Sequence, residues 1–377
     1  MNTATTVALD GVRVLITHDW LVDWGGAERC TEQMLEVFPD AELVAGVVAE
    51  GIRDRNAVTR RARETWLGRV PGARTQHRWF LPLEGIAFGS LDTRPYDLVL
   101  SSSYGFAKMV RPSNGGVHIC YCHSPPRYLW DFRQYYLQAA RGLEKVAFAA
   151  AGGVLRRWDR RSARHVDHFV CNSRYVADRI SRSYGRTAHV IYPPVSPKPL
   201  NGVPPRREEF LLFLGRLVPY KRVDLAIRAA ERLGVKLVVA GRGPDRRRLE
   251  QLAGPHTQFA GEVSEEEAGR LLSSASAFVF CGEEDFGIAP VEANAHGTPV
   301  VAYRGGGLLE GMQDGVTAEF FEERTVDGVV AALRRALERP WDARALKANA
   351  ERFRPERFRQ ELAAYVRERL NGRVAAR

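Results

Sequence analysis

Residues 281 to 297 constrain the fold more than any other part of the chain. They lie between two apolar, β-rich runs at 277–280 and 299–302, and they combine an acidic loop, a glycine and a short helical segment. This order predicts strand, loop, helix and strand, which is the repeating unit of a parallel sheet. Pro290 suits the first turn of the helix, where its missing N–H leaves no hydrogen bond unmade. Open α/β sheets bind ligands at the carboxyl ends of their strands, so this loop is a candidate binding site.

Two glutamates belong to this stretch, Glu284 in the acidic loop and Glu292 within the helix. Their carboxylates can face one crevice from different depths, and the free N–H groups at a helix start favour an anionic ligand. The alternative is a pair of solvated acids around a helix start. The spacing of the two glutamates does not decide between these interpretations by itself.

The first half of the chain shows the same alternation of apolar strands and helical segments. A strand predicted at 11–17 is followed by Gly25 and Gly26 and then by a helix over 27–38. A glycine-bearing loop at a helix start suits a phosphate or a sugar, although it is neither a dinucleotide fingerprint nor a P-loop. Glycines needed only for turning are the alternative.

His123 ends a strand predicted at 117–123 and precedes two prolines, which exclude further strand pairing. It is therefore placed where the sheet opens, and a packed strand-end histidine is the alternative. Strand alternation puts Cys120 and Cys122 on one face and His123 on the other, and no second ligand pair is evident. The sequence therefore predicts no metal site here.

The second half restarts the alternation after a proline-rich stretch at 193–205, which predicts an interdomain linker. Gly215 and Arg216 end a strand predicted at 210–215, and Lys221 begins the next helical region. A planar guanidinium and a flexible ammonium can together clamp a diphosphate. Ordinary surface cations are the alternative for both side chains.

Composition sets further bounds on class and partners. The chain has 377 residues, 45% hydrophobic and 27% charged, which is an ordinary globular composition with enough length for two domains. No apolar run reaches transmembrane length, no secretory signal is visible, and five scattered cysteines indicate reduced thiols in a cytoplasmic protein. The net charge of +10 favours phosphate-bearing partners or an anionic membrane face.

Residues 52 to 83 interleave arginines with aromatic and other apolar side chains. Such a pattern is typical of an anionic membrane surface or of nucleic acid, and a solvated basic face over a packed loop is the alternative. No RNA- or DNA-binding motif accompanies it, so we expect peripheral attachment to the inner face of the cell membrane and no nucleic-acid partner. The stretch contains these residues: Arg53, Arg55, Arg60, Arg61, Arg63, Trp66, Leu67, Arg69, Arg74, Arg78, Trp79, Phe80 and Leu81.

Taken together, several motifs resemble one enzyme family. Glu284 and Glu292, with Phe286-Gly287-Ile288 between them and Gly215-Arg216-Leu217 and Lys221-Arg222 upstream, resemble the signature of the retaining glycosyltransferases of family 4. The N-terminal half looks like the mannosyltransferase branch that builds bacterial surface polysaccharides. That likeness is carried by His18-Asp-Trp-Leu21, Gly25-Gly-Ala-Glu28 and Tyr121-Cys-His-Ser-Pro125.

The resemblance implies an α/β chain of the GT-B fold, in which two Rossmann-like domains face each other across a cleft. We expect an N-terminal acceptor-binding domain over 1–195 and 355–377, and a C-terminal nucleotide-sugar-binding domain over 206–354. A C-terminal helix predicted over 355–370 is expected to cross back onto the N-terminal domain.

The resemblance also implies roles for individual residues. Arg216 and Lys221 would neutralise the leaving diphosphate without a metal or cofactor, and His123 and Glu284 would hold the donor sugar. Glu292 would hold the ribose. The other positions implied to bind the donor are Gly25, Gly26, Gly215, Arg242, Val263, Phe286, Gly287, Ile288 and Ala289. The run Gly305-Gly-Gly307-Leu308-Leu309 departs from the usual form of the family, which puts one diphosphate or sugar contact in doubt.

The expected activity is retaining transfer of a hexose, mannose from GDP-mannose, to a polyprenyl-diphosphate-linked saccharide in surface polysaccharide biosynthesis. One alternative is another GT-B enzyme, such as a hexosyltransferase using a UDP-sugar, an epimerase or a phosphorylase. The chain is short for a phosphorylase, which would also need a lysine-bound pyridoxal. A non-catalytic nucleotide-binding or nucleic-acid-binding protein is the alternative from another class.

Overall fold

The structure is a computed structural model that describes residues 11–113, 115–131, 142–200 and 207–374, and the side chains of residues 78, 143–151 and 372–374 are outside that description. The described residues fall into two compact units. Unit 1 comprises the chain up to Pro194 and from Glu356 onward, and unit 2 runs from Val195 to Pro355. Part of the predicted linker, 201–206, lies outside the described residues.

Unit 1 is built on a seven-stranded parallel sheet with the order β3-β2-β1-β4-β5-β6-β7. Both β4 and β5 are buried along their whole length, as strands covered by helices on both faces must be. The strands are β1 (Val14–His18), β2 (Glu42–Ala45), β3 (Arg63–Glu64), β4 (Leu98–Ser103), β5 (Val117–Cys122), β6 (His168–Cys171) and β7 (Ala188–Val190).

The helices of unit 1 include one from each end of the chain. Ser173 caps α6 as the sequence predicts, because its hydroxyl accepts a hydrogen bond of 3.0 Å from the N–H of Val176. The described α-helices of unit 1 are α1 (Gly26–Val37), α2 (Glu50–Arg53), α3 (Ala57–Arg61), α4 (Leu81–Gly89), α5 (Gly142–Ser162), α6 (Arg174–Tyr184) and, after unit 2, α14 (Pro355–Val374).

Helix α14 completes the hydrophobic core of unit 1. Phe358, Leu362 and Val366 are fully buried and belong to the same apolar cluster as residues of β1, β4 and β5. Phe358 packs edge-on against Tyr121 of β5, with ring centroids 5.6 Å apart. The expected return of the C-terminal helix to the N-terminal domain is therefore confirmed.

Unit 2 is built on a six-stranded parallel sheet with the order β10-β9-β8-β11-β12-β13. The strand–helix–strand prediction for 277–302 is confirmed: β11 and β12 pair in parallel, with Phe278 opposite Val300, and α10 connects them. The strands are β8 (Phe210–Leu214), β9 (Lys236–Ala240), β10 (Thr257–Gly261), β11 (Ala277–Phe280), β12 (Val300–Tyr303) and β13 (Ala318–Phe321).

Helices connect the strands of unit 2 in the alternating order expected from the sequence. They are α7 (Val223–Leu233), α8 (Arg246–Leu252), α9 (Glu265–Ser274), α10 (Ile288–Ala295), α11 (Leu308–Gly311), α12 (Val326–Glu338) and α13 (Ala343–Glu351). Among the described residues of both units, none of the helices combines the length and the apolar composition needed to cross a bilayer.

Candidate functional site

Each sheet has a point where the strand order reverses direction, between β1 and β4 in unit 1 and between β8 and β11 in unit 2. The connections after those two strands diverge to opposite sides, which leaves a crevice at the carboxyl ends. His18 ends β1 and Ser102 lies opposite it on β4. In unit 2, Gly215 follows β8 and Glu284 follows β11. The predicted site residues of unit 2 thus cluster where such sheets bind ligands.

Three loops of unit 2 pack backbone to backbone at this edge. The N–H of Gly215 donates to the carbonyl of Ala240 at 3.0 Å, and the N–H of Leu217 donates to that of Arg242 at 2.9 Å. A Cβ atom at Gly241 would lie 2.0 Å from the oxygen of Gly215, and one at Gly282 would lie 2.6 Å from Cα of Lys221. Side chains are therefore excluded at these positions, and the loops form one continuous backbone surface.

Lys221 and Glu284 meet on this surface. The ammonium of Lys221 lies 3.3 Å from Oε1 of Glu284, and both side chains are mostly buried. A Cβ atom at Gly215 would come within 3.1 Å of that ammonium, so the glycine leaves the space that Lys221 occupies. Arg216, in the same loop, is exposed. Of the three predicted catalytic residues in unit 2, the structure thus pairs Lys221 with Glu284 and leaves Arg216 exposed.

The glycine run at 305–307 packs under the acidic loop. The N–H of Gly307 donates to the carbonyl of Glu284 at 2.9 Å, and a Cβ atom at Gly307 would lie 1.8 Å from the oxygen of Asp285. Leu308 contacts the loop from the same side, since a Cβ atom at Gly287 would lie 2.5 Å from its Cδ1. This run departs from the usual form of the resembled family. Its glycines nevertheless allow the acidic loop to pack closely against it.

The start of α10 supplies the predicted amide-bearing positions. Gly287 adopts a left-handed φ of +90°, which favours glycine. Phe286 is buried and packs edge-on against Phe353 at 5.0 Å, while Ile288 and Ala289 are half-buried. The first N–H groups of a helix have no partner within it, so this end of α10 is suited to an electronegative group.

Glu292 has a lysine partner that the sequence did not indicate. Oε1 of Glu292 lies 3.1 Å from the ammonium of Lys198, and Oε1 of Glu265 lies 3.8 Å from the same ammonium. The N–H of Lys198 donates to Nε2 of His296 at 3.0 Å, which anchors the lysine backbone. Glu284 and Glu292 are therefore bound to different lysines. Lys198 stands alone between two prolines, and nothing in its local sequence singles it out.

Arg242 and Val263 flank the same edge of the sheet. The guanidinium of Arg242 lies 3.4 Å from the carboxylate of Glu262, and both side chains are more than half exposed. Val263 follows β10 and is half-buried. An exposed ion pair of this kind contributes little to stability.

In unit 1, His123 is held at the end of β5. Its Nε2 lies 2.8 Å from the hydroxyl of Ser102, and its carbonyl accepts a hydrogen bond of 2.9 Å from the side-chain amide of Asn172. Burial, followed by the nearby His18, lowers the pKa of His123 to about 3. His123 is therefore a neutral ring at physiological pH. The side chain of Asn172 fixes the carbonyl of His123 within unit 1.

Gly25 and Gly26 begin α1. The N–H of Gly25 donates to Oε2 of Glu28 at 2.9 Å, which satisfies one of the free groups of the helix start. Oε1 of the same glutamate lies 3.4 Å from Nε2 of His18. His18 and Glu28 belong to the motifs that carry the resemblance, but the resemblance implies no role for either residue. The signal that could have linked them to Ser102 is the presence of polar residues at the ends of two apolar strands.

Two family models match the chain. The model described as Glycosyltransferase Family 4 matches residues 24–198, and the model described as Glycosyl transferases group 1 matches residues 201–353. The glycogen synthase of Mycobacterium tuberculosis is 37% identical over 155 residues, which is 38% of this chain and 37% of that protein. The D-inositol 3-phosphate glycosyltransferase of Mycobacterium avium is 33% identical over 159 residues, which is 39% of this chain and 37% of that protein. These matches span little more than a third of the length of either relative.

Solved structures show the same fold at low sequence identity. HepE from Anabaena, in complex with UDP and glucose, is 17% identical with a TM-score of 0.71, covering 94% of this chain and 99% of that one. Sucrose-phosphate synthase from Thermosynechococcus elongatus is also 17% identical, with a TM-score of 0.69, covering 97% and 100%. Residues 24–198 therefore match a family 4 glycosyltransferase domain and residues 201–353 match a group 1 glycosyltransferase domain, and the chain has the GT-B fold.

Proposed function

We propose that this chain transfers a hexose from a sugar nucleotide to an acceptor hydroxyl, with retention of configuration at the anomeric carbon. The observation that carries the proposal is the pairing of Lys221 with Glu284 at the β8–β11 reversal point of unit 2. This pair lies within the segment that matches the group 1 glycosyltransferase model. An ammonium, an exposed guanidinium and a carboxylate at one sheet edge suit a ligand that has both a diphosphate and a sugar.

The proposed chemistry divides the work between these groups. Transfer passes through a transition state in which the sugar gains positive charge and the leaving diphosphate gains negative charge. Lys221 and Arg216 stabilise the diphosphate, and the contact with Glu284 holds the ammonium in place before any ligand binds. Glu284 accepts hydrogen bonds from sugar hydroxyls. The positive charge of the two side chains makes a divalent metal unnecessary in this scheme.

The remaining positions bind parts of the donor that do not react. Glu292 holds the ribose, either together with Lys198 or after displacing it. The amides at the start of α10 and the loops at Gly215, Arg242 and Val263 contact the nucleotide. In unit 1, His123 holds the donor sugar and the loop at Gly25 and Gly26 binds the donor, as the resemblance implies.

For the donor we propose GDP-mannose, on the strength of the N-terminal motifs at His18, Gly25 and Tyr121. A UDP-sugar is the second candidate, because the structurally similar HepE was solved with UDP and with UDP-glucose. Thermal unfolding with GDP, UDP and ADP separates the two. The proposed nucleotide should stabilise unit 2 by about 2.7 kcal/mol at a hundredfold excess over its dissociation constant.

Activity is tested with a panel of sugar nucleotides, with transfer and hydrolysis measured separately. Release of the nucleoside diphosphate that depends on an acceptor supports the proposal, and NMR of the product reports whether configuration is retained. A nucleotide that binds without turnover of any donor would favour the non-catalytic alternative.

For the acceptor we propose a polyprenyl-diphosphate-linked saccharide at an anionic membrane face. The support is a group of exposed apolar side chains within or beside the basic stretch: Trp79 is 63% exposed, Ile86 49%, Trp66 39% and Leu83 36%. Part of the basic charge is already used within unit 1, since Arg53 and Arg74 bind Glu64 and Arg63 binds Glu42. Arg55, Arg60 and Arg69 are exposed. The side chain of Arg78 lies outside the described residues.

Flotation with liposomes tests this attachment. Trp79→Ala combined with Ile86→Ser should reduce the bound fraction on vesicles of phosphatidylglycerol and phosphatidylethanolamine, and high salt should reduce it further. Leu337→Ala removes an exposed apolar side chain from unit 2 and serves as the matched control. Equal flotation of all variants, or binding that ignores lipid charge, would contradict the proposed attachment.

A further inference from the structure

A buried chain of hydrogen bonds connects His123 to Glu28 across the carboxyl ends of β5, β4 and β1. Nε2 of His123 lies 2.8 Å from the hydroxyl of Ser102, and that hydroxyl lies 3.1 Å from Nδ1 of His18. Nε2 of His18 then lies 3.4 Å from Oε1 of Glu28. All four residues are buried, Ser102 and His18 completely. Three of the four ring nitrogens of His123 and His18 thus have a defined neighbour within this chain of hydrogen bonds.

The carboxylate of Glu28 determines which atom donates in each hydrogen bond of this series. Glu28 already accepts from the N–H of Gly25, and a carboxylate has no proton to donate, so the proton between Glu28 and His18 resides on Nε2 of His18. In a neutral ring Nδ1 is then an acceptor, and the hydroxyl of Ser102 donates its hydrogen bond to it. The oxygen of Ser102 in turn accepts from His123, which places the proton of that ring on Nε2.

The hydroxyl of Thr31 also contacts His18 and Ser102, and as a donor to either it would change this order of donors and acceptors. This hydroxyl lies 2.9 Å from that of Ser102, 3.0 Å from Nδ1 of His18 and 3.1 Å from the carbonyl of Ala27. A threonine within a helix commonly donates back to the carbonyl one turn earlier, here that of Ala27. With the proton of Thr31 engaged there, Ser102 is the donor to His18.

We propose that His18 and Ser102 are positioning residues that hold His123 as its Nε2–H tautomer. Nδ1 of His123 is then a hydrogen-bond acceptor, and it accepts a hydrogen bond from a hydroxyl of the bound sugar. The second statement rests on the proposed function, whereas the tautomer does not. The expected substrate is a hexose with a hydroxyl at that position, because an unprotonated nitrogen repels the carboxylate of a uronic acid.

A second buried histidine supplies an internal control on the opposite face of β4. The hydroxyl of Ser101 lies 2.8 Å from Nε2 of His118, the same distance as in the Ser102 pair. Nδ1 of His118 lies 2.8 Å from the carbonyl of His165, which accepts only, so His118 carries its proton on Nδ1. The two histidines are therefore expected to be opposite tautomers.

The direct test is long-range ¹H–¹⁵N correlation NMR of the full chain labelled with ¹⁵N-histidine at pH 7, with His123→Asn and His118→Asn providing the assignments. The expected spectrum shows His123 protonated on Nε2 and His118 on Nδ1. Ser102→Ala should change the patterns of His123 and of His18, which contacts the same hydroxyl, and leave that of His118 unchanged. Ser101→Ala should change the pattern of His118 and leave that of His123 unchanged. Protonation of His123 on Nδ1 in the unchanged protein, or a His123 pattern unaffected by Ser102→Ala, would overturn the proposal.

Glu28→Gln is a second test that preserves shape and volume. The N–H of Gly25 needs an acceptor, so it holds the amide oxygen and turns the amide NH₂ toward Nε2 of His18. That ring must then carry its proton on Nδ1, which reverses the chain and converts His123 to the Nδ1–H form. An unchanged His123 tautomer in a folded Glu28→Gln protein would contradict the mechanism.

Turnover is measured with whichever sugar nucleotide the donor panel identifies. Ser102→Ala should lower kcat roughly tenfold, the loss expected for one positioning hydrogen bond, while nucleoside diphosphate binding stays unchanged. Ser101→Ala should stay within about twofold of the unchanged protein. Turnover absent with every donor would reject the proposed function but leave the tautomer result standing. An active enzyme in which His123 carries its proton on Nδ1 would reject this inference but not the proposed function.

Discussion

Lys221 and Lys198 each bind a glutamate of the 281–297 stretch, but their surroundings differ. Lys221 shares its loop with exposed Arg216, and Gly215 leaves the space that the lysine ammonium occupies. Lys198 is anchored through its own backbone by His296, and its partner Glu292 is only 4% exposed. These differences predict separable effects of substitution at the two ion pairs.

Lys221→Ala should lower turnover by about a hundredfold or more while weakening nucleoside diphosphate binding much less, because charge on the leaving group grows mainly in the transition state. Glu292→Ala should raise the donor's KM with a smaller loss of kcat, since the ribose does not change during transfer. Glu284→Ala should fall between the two. Steady-state kinetics and calorimetric binding provide the comparison.

Lys236→Ala is the control for these substitutions, because Lys236 is an exposed lysine of the same unit. It should leave both kinetic constants unchanged. Near-normal turnover in Lys221→Ala, or loss of turnover with intact binding in Glu292→Ala, would show that the two roles are wrongly assigned.

Glu84 is a buried acid of unit 1 whose role is not explained by the proposed chemistry. It is 1% exposed, and neither carboxylate oxygen has a hydrogen-bond partner among the described residues. Burial, and then the charge of Asp19, raise the pKa of Glu84 well above its ordinary value. The folded state therefore binds the proton of Glu84 more tightly than the unfolded state does.

This raised pKa predicts a stability that falls with pH. Its contribution is fully present below the unfolded pKa of about 4.3 and is lost as pH rises toward the folded pKa. Glu84→Gln removes the titrating group. The free energy of unfolding of Glu84→Gln minus that of the unchanged protein should therefore grow by up to about 1.4 kcal/mol per pH unit over that range. Urea unfolding between pH 4.5 and 8 measures the difference, with exposed Glu36→Gln as control. Parallel curves would contradict the prediction.

Sequence reasoning places some of these residues and misses others for a physical reason. His123 and Glu284 follow apolar runs, so their position at strand ends can be predicted from local pattern. The pairing of His18 with Ser102 joins residues that are 84 positions apart, and it depends on the order of strands in the sheet. Lys198 is positioned by His296, which is 98 positions away. Such contacts are set by tertiary structure, on which local pattern gives no information.

At the scale of elements, the loops after β8, β9 and β11 tolerate little substitution at their glycines. Gly241 combines a φ of +133° with a Cβ position only 2.0 Å from the oxygen of Gly215. Gly234 has a φ of +67°, but its Cβ position meets nothing closer than 4.0 Å. Comparing alanine substitutions at these two glycines therefore separates the cost of backbone strain from the cost of steric exclusion.

Gly241→Ala should destabilise unit 2 by roughly 3 kcal/mol or more, because a backbone atom must move as well as a dihedral angle. Gly234→Ala should cost only about 1 kcal/mol, the usual penalty of a left-handed residue. Thermal unfolding of both variants measures the difference. Equal losses would show that the loops adjust freely and that their close packing is not required.

Long elements were predictable and short ones were not. Helix α14 begins at the predicted residue, and β8 and β11 were recognised from continuous apolar runs. Strands β3 and β7 have two and three residues and mostly exposed or half-buried side chains. They exist because they pair with β2 and β6, so their own sequence carries little β signal.

At the scale of the molecule, the α/β class and the GT-B fold followed from the alternation of elements and from the resemblance. Unit 1 nevertheless depends on a segment that lies beyond unit 2 in sequence. Phe358 is completely buried in the core of unit 1. Phe358→Ala should therefore cost about 3–5 kcal/mol of unit 1 stability.

Tryptophan fluorescence during urea unfolding reports on this substitution, because six of the seven tryptophans belong to unit 1, with Trp341 the exception. Arg367→Ala, on the exposed side of the same helix, should leave the transition unchanged. A Phe358→Ala transition that coincides with that of Arg367→Ala would mean that α14 contributes little to the core.

The return of α14 also has a consequence for biosynthesis. A ribosome makes the strands of unit 1 first, yet the side chains that finish their core, including Phe358, Leu362 and Val366, emerge only after all of unit 2. Unit 2 is continuous in sequence and can fold as soon as it leaves the exit tunnel. The half-made protein therefore exposes the apolar face of unit 1 throughout the translation of unit 2, and during that interval it is a substrate for chaperones and proteases.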